Sequence, residues 1–188
     1  MLKRNLSVAV IALASVTGGL VASPTIVGAQ AGRAPYAATA AHSTKQVAFS
    51  GHYTGTVALL IDNGSLTISA VKGKGTATLV GLSSVQGNGL GSASAQCDPF
   101  SGVGGLVGKT GEIKVSVASA TSQGCSSGES GPVTITFHGV AKVTGGTGKA
   151  LGVTGSFKFS GSVNLKGTSG RQTGTFSATL TGKLSEKG

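Results

Sequence analysis

A glycine-rich stretch, Gly145-Gly146-Thr147-Gly148-Lys149-Ala150-Leu151-Gly152-Val153-Thr154-Gly155, precedes the most regular part of this sequence. After it, apolar residues and glycines recur at every second position over two runs: Phe157, Phe159, Gly161, Val163, Leu165, and then Phe176, Ala178, Leu180, Gly182, Leu184. This period predicts two antiparallel strands with one buried face and one hydrated face. Because glycine adopts positive φ at little cost, the stretch before them predicts a structural corner formed by Gly145, Gly146, Gly148 and Gly155.

The rest of the chain supplies further strands but no amphipathic helix after the N-terminal segment. Residues 47–61 alternate over one long strand, and Asp62-Asn63-Gly64 predicts a hairpin turn, since Asn-Gly suits type I′ geometry. The remaining predictions are a turn at Lys72-Gly73-Lys74-Gly75, a short strand at 76–80, an edge strand or loop at 84–96, a weak strand at 103–107, and clear strands at 113–117, 133–137 and 140–143. Eight or nine strands predict an all-β protein, an antiparallel eight-stranded barrel or alternatively a β-sandwich.

The N-terminus has the layout of an export signal. Lys3 and Arg4 precede a short apolar run, and small residues around Ala29 and Ala31 match cleavage sites. We therefore expect a signal peptide at 1–31, a linker at 32–45 and a β-barrel domain at 46–188. The expected location is secreted or extracellular, with no transmembrane segment in the mature chain, because the apolar run is too short to span a bilayer comfortably.

Two cysteines, Cys97 and Cys125, remain after the signal segment. In an oxidising compartment such a pair more often forms a disulfide than a metal site. Zinc prefers four ligands, and the three histidines of the chain show no ligand-like spacing toward the cysteines. We expect a Cys97–Cys125 disulfide that joins two polar loops, and no metal site.

The glycine stretch, placed after a Val-Thr strand end and before a phenylalanine-rich hairpin, resembles the motif of dirigent proteins. It is similar also to their relatives in the allene oxide cyclase-like barrel superfamily, which includes small secreted bacterial members. The resemblance covers about residues 133–184 and implies an eight-stranded antiparallel barrel. In dirigent proteins an Ala-Arg-Gly usually follows the glycines, whereas this chain has Val153-Thr154-Gly155 and lacks the arginine.

No catalytic or cofactor-binding residue is predicted. Gly104-Gly105-Leu106-Val107-Gly108-Lys109-Thr110 ends like a phosphate-binding loop, but Val103 stands where the first glycine belongs and no helix pattern follows. The five carboxylates are dispersed, and no two are placed for acid–base chemistry. His52 and His138 fall on the polar faces of their strands, so we expect them in solvent.

Charge bears on possible partners. The formal net charge is +10, and subtracting Lys3 and Arg4 leaves +8 for the exported chain. Dispersed lysines are typical of a soluble surface but also suit an anionic cell-surface polymer. Nucleic acid is not expected, since aromatic residues for base stacking are scarce. The sequence therefore predicts an exported non-catalytic barrel with a structural or binding role. The alternatives are a dirigent- or cyclase-type barrel acting on a small apolar ligand, and a polyanion-binding surface protein.

Overall fold

A computed structural model describes residues 44–79, 81–128 and 131–187. The predicted signal peptide and residues 32–43 of the predicted linker lie outside the described residues. The strands are β1 (Thr44–Asp62), β2 (Ser65–Ala77), β3 (Leu82–Ser92), β4 (Cys97–Gly108), β5 (Gly111–Ser126), β6 (Val133–Gly148), β7 (Thr154–Leu165) and β8 (Gly170–Lys187).

The eight strands form a closed antiparallel barrel in sequence order, with β8 paired to β1. The predicted all-β barrel is thereby confirmed, and the sandwich alternative is set aside. The hairpin after β1 also forms where the sequence predicts it, with Asn63 and Gly64 both at positive φ, as a type I′ turn requires.

The predicted turn at Lys72–Gly75 is wrong, because these residues lie within β2 and pair with β1 and β3. A side chain at Gly73 would meet the ring of Phe176 at 2.6 Å, and one at Gly75 would meet the ring of Tyr53 at 2.7 Å. These two glycines therefore leave room for aromatic rings inside the barrel.

Strands β3 and β4 are more regular than the sequence indicates, and β4 is also longer. Residues 82–92 form one strand, and the weak run 103–107 belongs to a strand of 12 residues. Their paired positions include Gly87 opposite Gly104 and Gly89 opposite Gly102. A Cβ at Gly87, Gly102 or Gly104 would lie only 2.5–2.9 Å from a carbonyl oxygen of the neighbouring strand. Glycine permits this close approach, and it also removes the apolar alternation that would have revealed the strands.

The glycine-rich stretch forms the end of β6 and the turn into β7. Gly145 and Gly146 lie in β6 opposite Lys114 and Ile113, and the chain turns at residues 149–152. Positive φ occurs at Gly148, Gly152 and Gly155, with values of 57°, 83° and 121°. The turn is held by backbone hydrogen bonds of 3.0 to 3.2 Å. Ala150, Leu151 and Val153 each donate one to the carbonyl three residues earlier.

The barrel is filled unevenly. The larger apolar cluster occupies the end where β1 begins, here called the closed end, and contains Phe49, Leu82, Ile113, Phe157 and Leu184. Ala150 and Val153 of the glycine-rich turn are buried in the same cluster and cover that end. At the opposite end, here called the open end, a smaller cluster centres on Val57, Leu59, Val133 and Leu165.

Candidate functional site

The main cavity of the described structure lies inside the barrel and has a volume of about 740 Å³. Its wall includes residues 92–96 together with Ser126, Gly128 and Val133, which places its mouth at the open end. The aliphatic part of the wall comes mainly from β1, β2, β6 and β7: Val57, Leu59, Ile61, Leu66, Ile68, Ile135, Val163. The interior is therefore packed at one end and hollow at the other.

The cavity exists partly because one side of the wall carries few side chains. Gly87, Gly89, Gly102 and Gly104 all line it from β3 and β4. At these four positions only backbone covers the wall, so no side chain fills the part of the interior beside them. The same glycines that permit the close pairing of β3 with β4 thus also widen the cavity.

Three phenylalanines give the cavity an aromatic side. The ring centroid of Phe159 lies 6.1 Å from that of Phe100 and 6.2 Å from that of Phe137, both tilted arrangements that aromatic pairs favour. Each of two rings also covers a glycine on the neighbouring strand. A side chain at Gly161 would meet Phe137 at 2.7 Å, and one at Gly139 would meet Phe159 at 2.6 Å. This reciprocal packing fixes both rings on the wall.

Tyr53 is a buried polar residue of the cavity wall. It is 1% exposed, and its hydroxyl donates a hydrogen bond of 3.1 Å to the carbonyl oxygen of Leu82. Burial raises the pKa of Tyr53 to about 12, because the phenolate would lose its hydration. With its proton engaged by Leu82, the ring presents an apolar surface to the cavity.

The rim of the cavity is polar. Residues 92–96 and Asp98 form part of it, and the Asp98 carboxylate accepts a hydrogen bond of 2.8 Å from the backbone N–H of Ala95. Asp98 therefore holds the loop between β3 and β4 in place.

The predicted disulfide is present between Cys97 and Cys125, which are 28 residues apart. Its predicted location in two loops is wrong. Cys97 begins β4 and Cys125 lies near the end of β5, and the two residues are direct partners in the β4–β5 ladder. The disulfide thus joins adjacent strands at the open end, beside the mouth of the cavity.

Apart from Asp98 at the rim, the other residues singled out in the sequence lie away from the cavity. The corner residues Gly145, Gly146, Gly148 and Gly155 are near the closed end, and His52 and His138 are exposed on the outer face of the barrel. The carboxylates of Asp62, Asp98, Glu112 and Glu186 are spread over both ends, and Glu129 lies outside the described residues. Within residues 44–79, 81–128 and 131–187, no group of three or more His, Cys, Asp or Glu could hold a metal ion.

Fold and site together define a closed antiparallel β-barrel with an apolar internal cavity. No family model matches the chain, and no curated protein matches it. Among solved structures, it is similar to the pterocarpan synthase dirigent protein, at 13% sequence identity and a TM-score of 0.18, over 74% of this chain and 95% of that one. That neighbour is a dirigent protein, the family that the glycine-rich stretch resembles. At this TM-score the likeness supports no transfer of function, and membership of the superfamily stays an expectation.

The described part of the chain contains no helix long and apolar enough to cross a membrane.

Proposed function

We propose that this protein is an exported, non-catalytic barrel that binds a small apolar molecule in its internal cavity. The observation that carries the proposal is the cavity, which is lined by aliphatic and aromatic side chains and opens at one end. Its volume of about 740 Å³ falls within the roughly 300–1,000 Å³ typical of small-molecule sites. Each methylene group of a ligand that becomes buried in the cavity would contribute about 0.8 kcal/mol to binding.

Export is supported by two independent features. The first is the signal-like pattern of residues 1–31, and the second is the disulfide, since disulfides persist in oxidising compartments and are rare in the cytosol. Outside the cell, a barrel closed by β1–β8 pairing and cross-linked between β4 and β5 would protect an apolar ligand from water.

Catalysis on the ligand is the weaker alternative. Proton transfer needs a positioned acid or base within hydrogen-bond reach of the ligand. Among the described residues that line the cavity, Asp98 is the one carboxylate, and it stands at the rim with its oxygens accepting hydrogen bonds from the 92–97 loop. Tyr53 is engaged by Leu82 and keeps its proton at neutral pH.

The test is binding of the uncharged fluorescent dye Nile red to the wild-type protein and to two matched variants. Gly124 lines the cavity, and a Cβ there would meet Ile135 only at 3.4 Å, an ordinary contact. Gly124→Phe therefore places a ring in the cavity without displacing backbone. Gly145→Phe is the control, because a Cβ at Gly145 has no neighbour within 4 Å and this position does not line the cavity.

We expect Gly124→Phe to weaken dye binding at least about tenfold, equivalent to ~1.4 kcal/mol, and Gly145→Phe to leave it unchanged. Melting temperatures of both variants report whether the barrel is intact. Equal dye binding by wild type and a folded Gly124→Phe would place the dye outside the cavity and contradict the proposal.

A further inference from the structure

A cluster of lysines and hydroxyl groups lies on the outer face of β6, β7, β8 and β1. We call it the lysine face and define it by Lys142, Ser156, Lys183, Lys158, Thr181 and Ser50. All six residues are exposed. They are brought together by the barrel closure, because Ser50 is more than 90 positions from the nearest of the others in sequence.

The strand register arranges these residues in two rows. In the first, Ser156 of β7 lies between Lys142 of β6 and Lys183 of β8. In the second, Lys158 lies opposite Thr181, which in turn lies opposite Ser50. Neighbouring strands are about 4.8 Å apart, and alternate residues along a strand about 7 Å apart, so the Cα atoms of the three lysines lie within about 10 Å of one another. Each lysine stands directly beside a hydroxyl group.

A shallow groove runs through this face. Its wall includes Ser156, Lys158, Thr181 and Lys183, with Val140 beside them. The hydroxyl groups can donate or accept hydrogen bonds, and the ammonium groups supply only donors and positive charge. The groove can therefore bind both the negatively charged groups and the hydroxyl groups of an anionic sugar.

None of the described carboxylates belongs to the lysine face. Of the four described carboxylates, Asp62 and Asp98 lie at the open end and Glu112 lies on β5. Glu186 lies opposite Lys45 in the β1–β8 ladder, three residues beyond Lys183. The next row toward the open end carries no carboxylate. It consists of His138, Ser160, Thr179 and His52 on successive strands. Within the described residues, no carboxylate opposes an anion placed on this face.

We propose that the lysine face binds a linear anionic polysaccharide. A polysaccharide fits better than a lipid bilayer, because membrane-binding surfaces combine basic residues with exposed apolar ones. The large exposed apolar residues of the described chain, Leu60, Leu90, Val103 and Leu151, all lie off the lysine face. On the lysine face, Ser156 and Thr181 lie beside the lysines, and the one apolar neighbour named there, Val140, is half-buried.

The proposal is tested with dextran sulfate as the probe and neutral dextran as its uncharged counterpart. The face variant is Lys142→Gln/Lys158→Gln/Lys183→Gln. The control variant, Lys109→Gln/Lys149→Gln/Lys166→Gln, loses the same three charges from exposed residues at or beside the hairpin turns. Binding is measured by titration calorimetry at several salt concentrations, and thermal melting confirms that both variants fold.

We expect dextran sulfate to bind the wild type and neutral dextran not to bind. The face variant should lose about two to three units from the slope of log affinity against log salt, since about one unit is lost for each phosphate-like contact removed. The control variant should keep nearly the wild-type slope and affinity. Equal losses of affinity in the two variants would mean that the polymer is attracted by net charge alone. Tighter binding to phosphatidylglycerol vesicles than to dextran sulfate would indicate that the face binds a bilayer. Either result overturns the proposal.

Discussion

Adding a single methyl group at Gly146 should destabilise the barrel, whereas the same change at the adjacent Gly145 should not. A Cβ on Gly146 would overlap the carbonyl oxygen of Ala150 and lie 2.8 Å from its carbonyl carbon. Ala150 is fully buried in the cluster that covers the closed end, and its carbonyl accepts a hydrogen bond from Val153. Neither the new methyl group nor the Ala150 carbonyl can move away without disturbing the turn that covers the closed end.

The expected magnitude follows from this overlap. Forcing extra atoms into a well-packed site costs about 1–3 kcal/mol. At Gly145, a Cβ has no neighbour within 4 Å, and alanine there should be neutral or stabilising by about 0.4–1 kcal/mol, because it restricts the unfolded chain. For a domain of this size, about 1 kcal/mol corresponds to a shift of roughly 2–4 °C in melting temperature.

The assay is thermal unfolding of Gly146→Ala and Gly145→Ala, followed by circular dichroism. Gly146→Ala should melt several degrees below wild type, and Gly145→Ala at or above it. Gly148→Ala extends the series, because Gly148 has a φ of 57° and a Cβ there would overlap the Thr110 carbonyl oxygen. If Gly145→Ala and Gly146→Ala have the same melting temperature, the turn tolerates a side chain at Gly146, and our account of how the closed end is covered is wrong.

Two further predictions concern groups that secure the barrel. Tyr53→Phe should cost about 1 kcal/mol at neutral pH by removing the hydrogen bond to Leu82. It should also make the stability less sensitive to alkaline pH. Because the pKa of Tyr53 is raised from 10.0 to about 12, the stability that its neutral form contributes is complete below pH 10 and is lost as the pH rises toward 12, by roughly 3 kcal/mol in all. Urea unfolding of both proteins between pH 9 and pH 12 checks this, and parallel pH profiles would refute it. Replacing both Cys97 and Cys125 by serine should cost about 3–4 kcal/mol in the chain-entropy account, given their separation of 28 residues; a wild-type denaturation midpoint in the double variant would contradict this.

The sequence predicts those strands whose apolar residues alternate. In β1, β7 and β8, each apolar position at period two points into the barrel, so pattern and structure agree. The pattern fails for β3 and β4, because glycines at their interior positions hide the alternation. It fails likewise at Lys72–Gly75, where glycines that make room for Phe176 and Tyr53 resemble turn residues.

The cavity could not be predicted from the pattern. Alternation identifies which face of each strand is buried, but not whether the closed barrel leaves space between opposite walls. That space depends on distant residues that meet only in three dimensions, such as Phe100 of β4 and Phe159 of β7. The disulfide pairing was predictable because the chain has two cysteines, but the position of both in paired strands was not.

The two proposed binding activities use opposite faces of the same strands. On β7, Phe159 points into the cavity, while Lys158 and Ser160 on either side of it point outward. Successive side chains of a strand point to opposite faces, so a single strand can serve an apolar interior and a cationic exterior without conflict. The cavity mouth lies at the open end, and the lysine face lies on the side of the barrel toward the closed end. A polysaccharide on the lysine face would therefore leave the mouth unobstructed, and the barrel could hold an apolar ligand while attached to an anionic polymer.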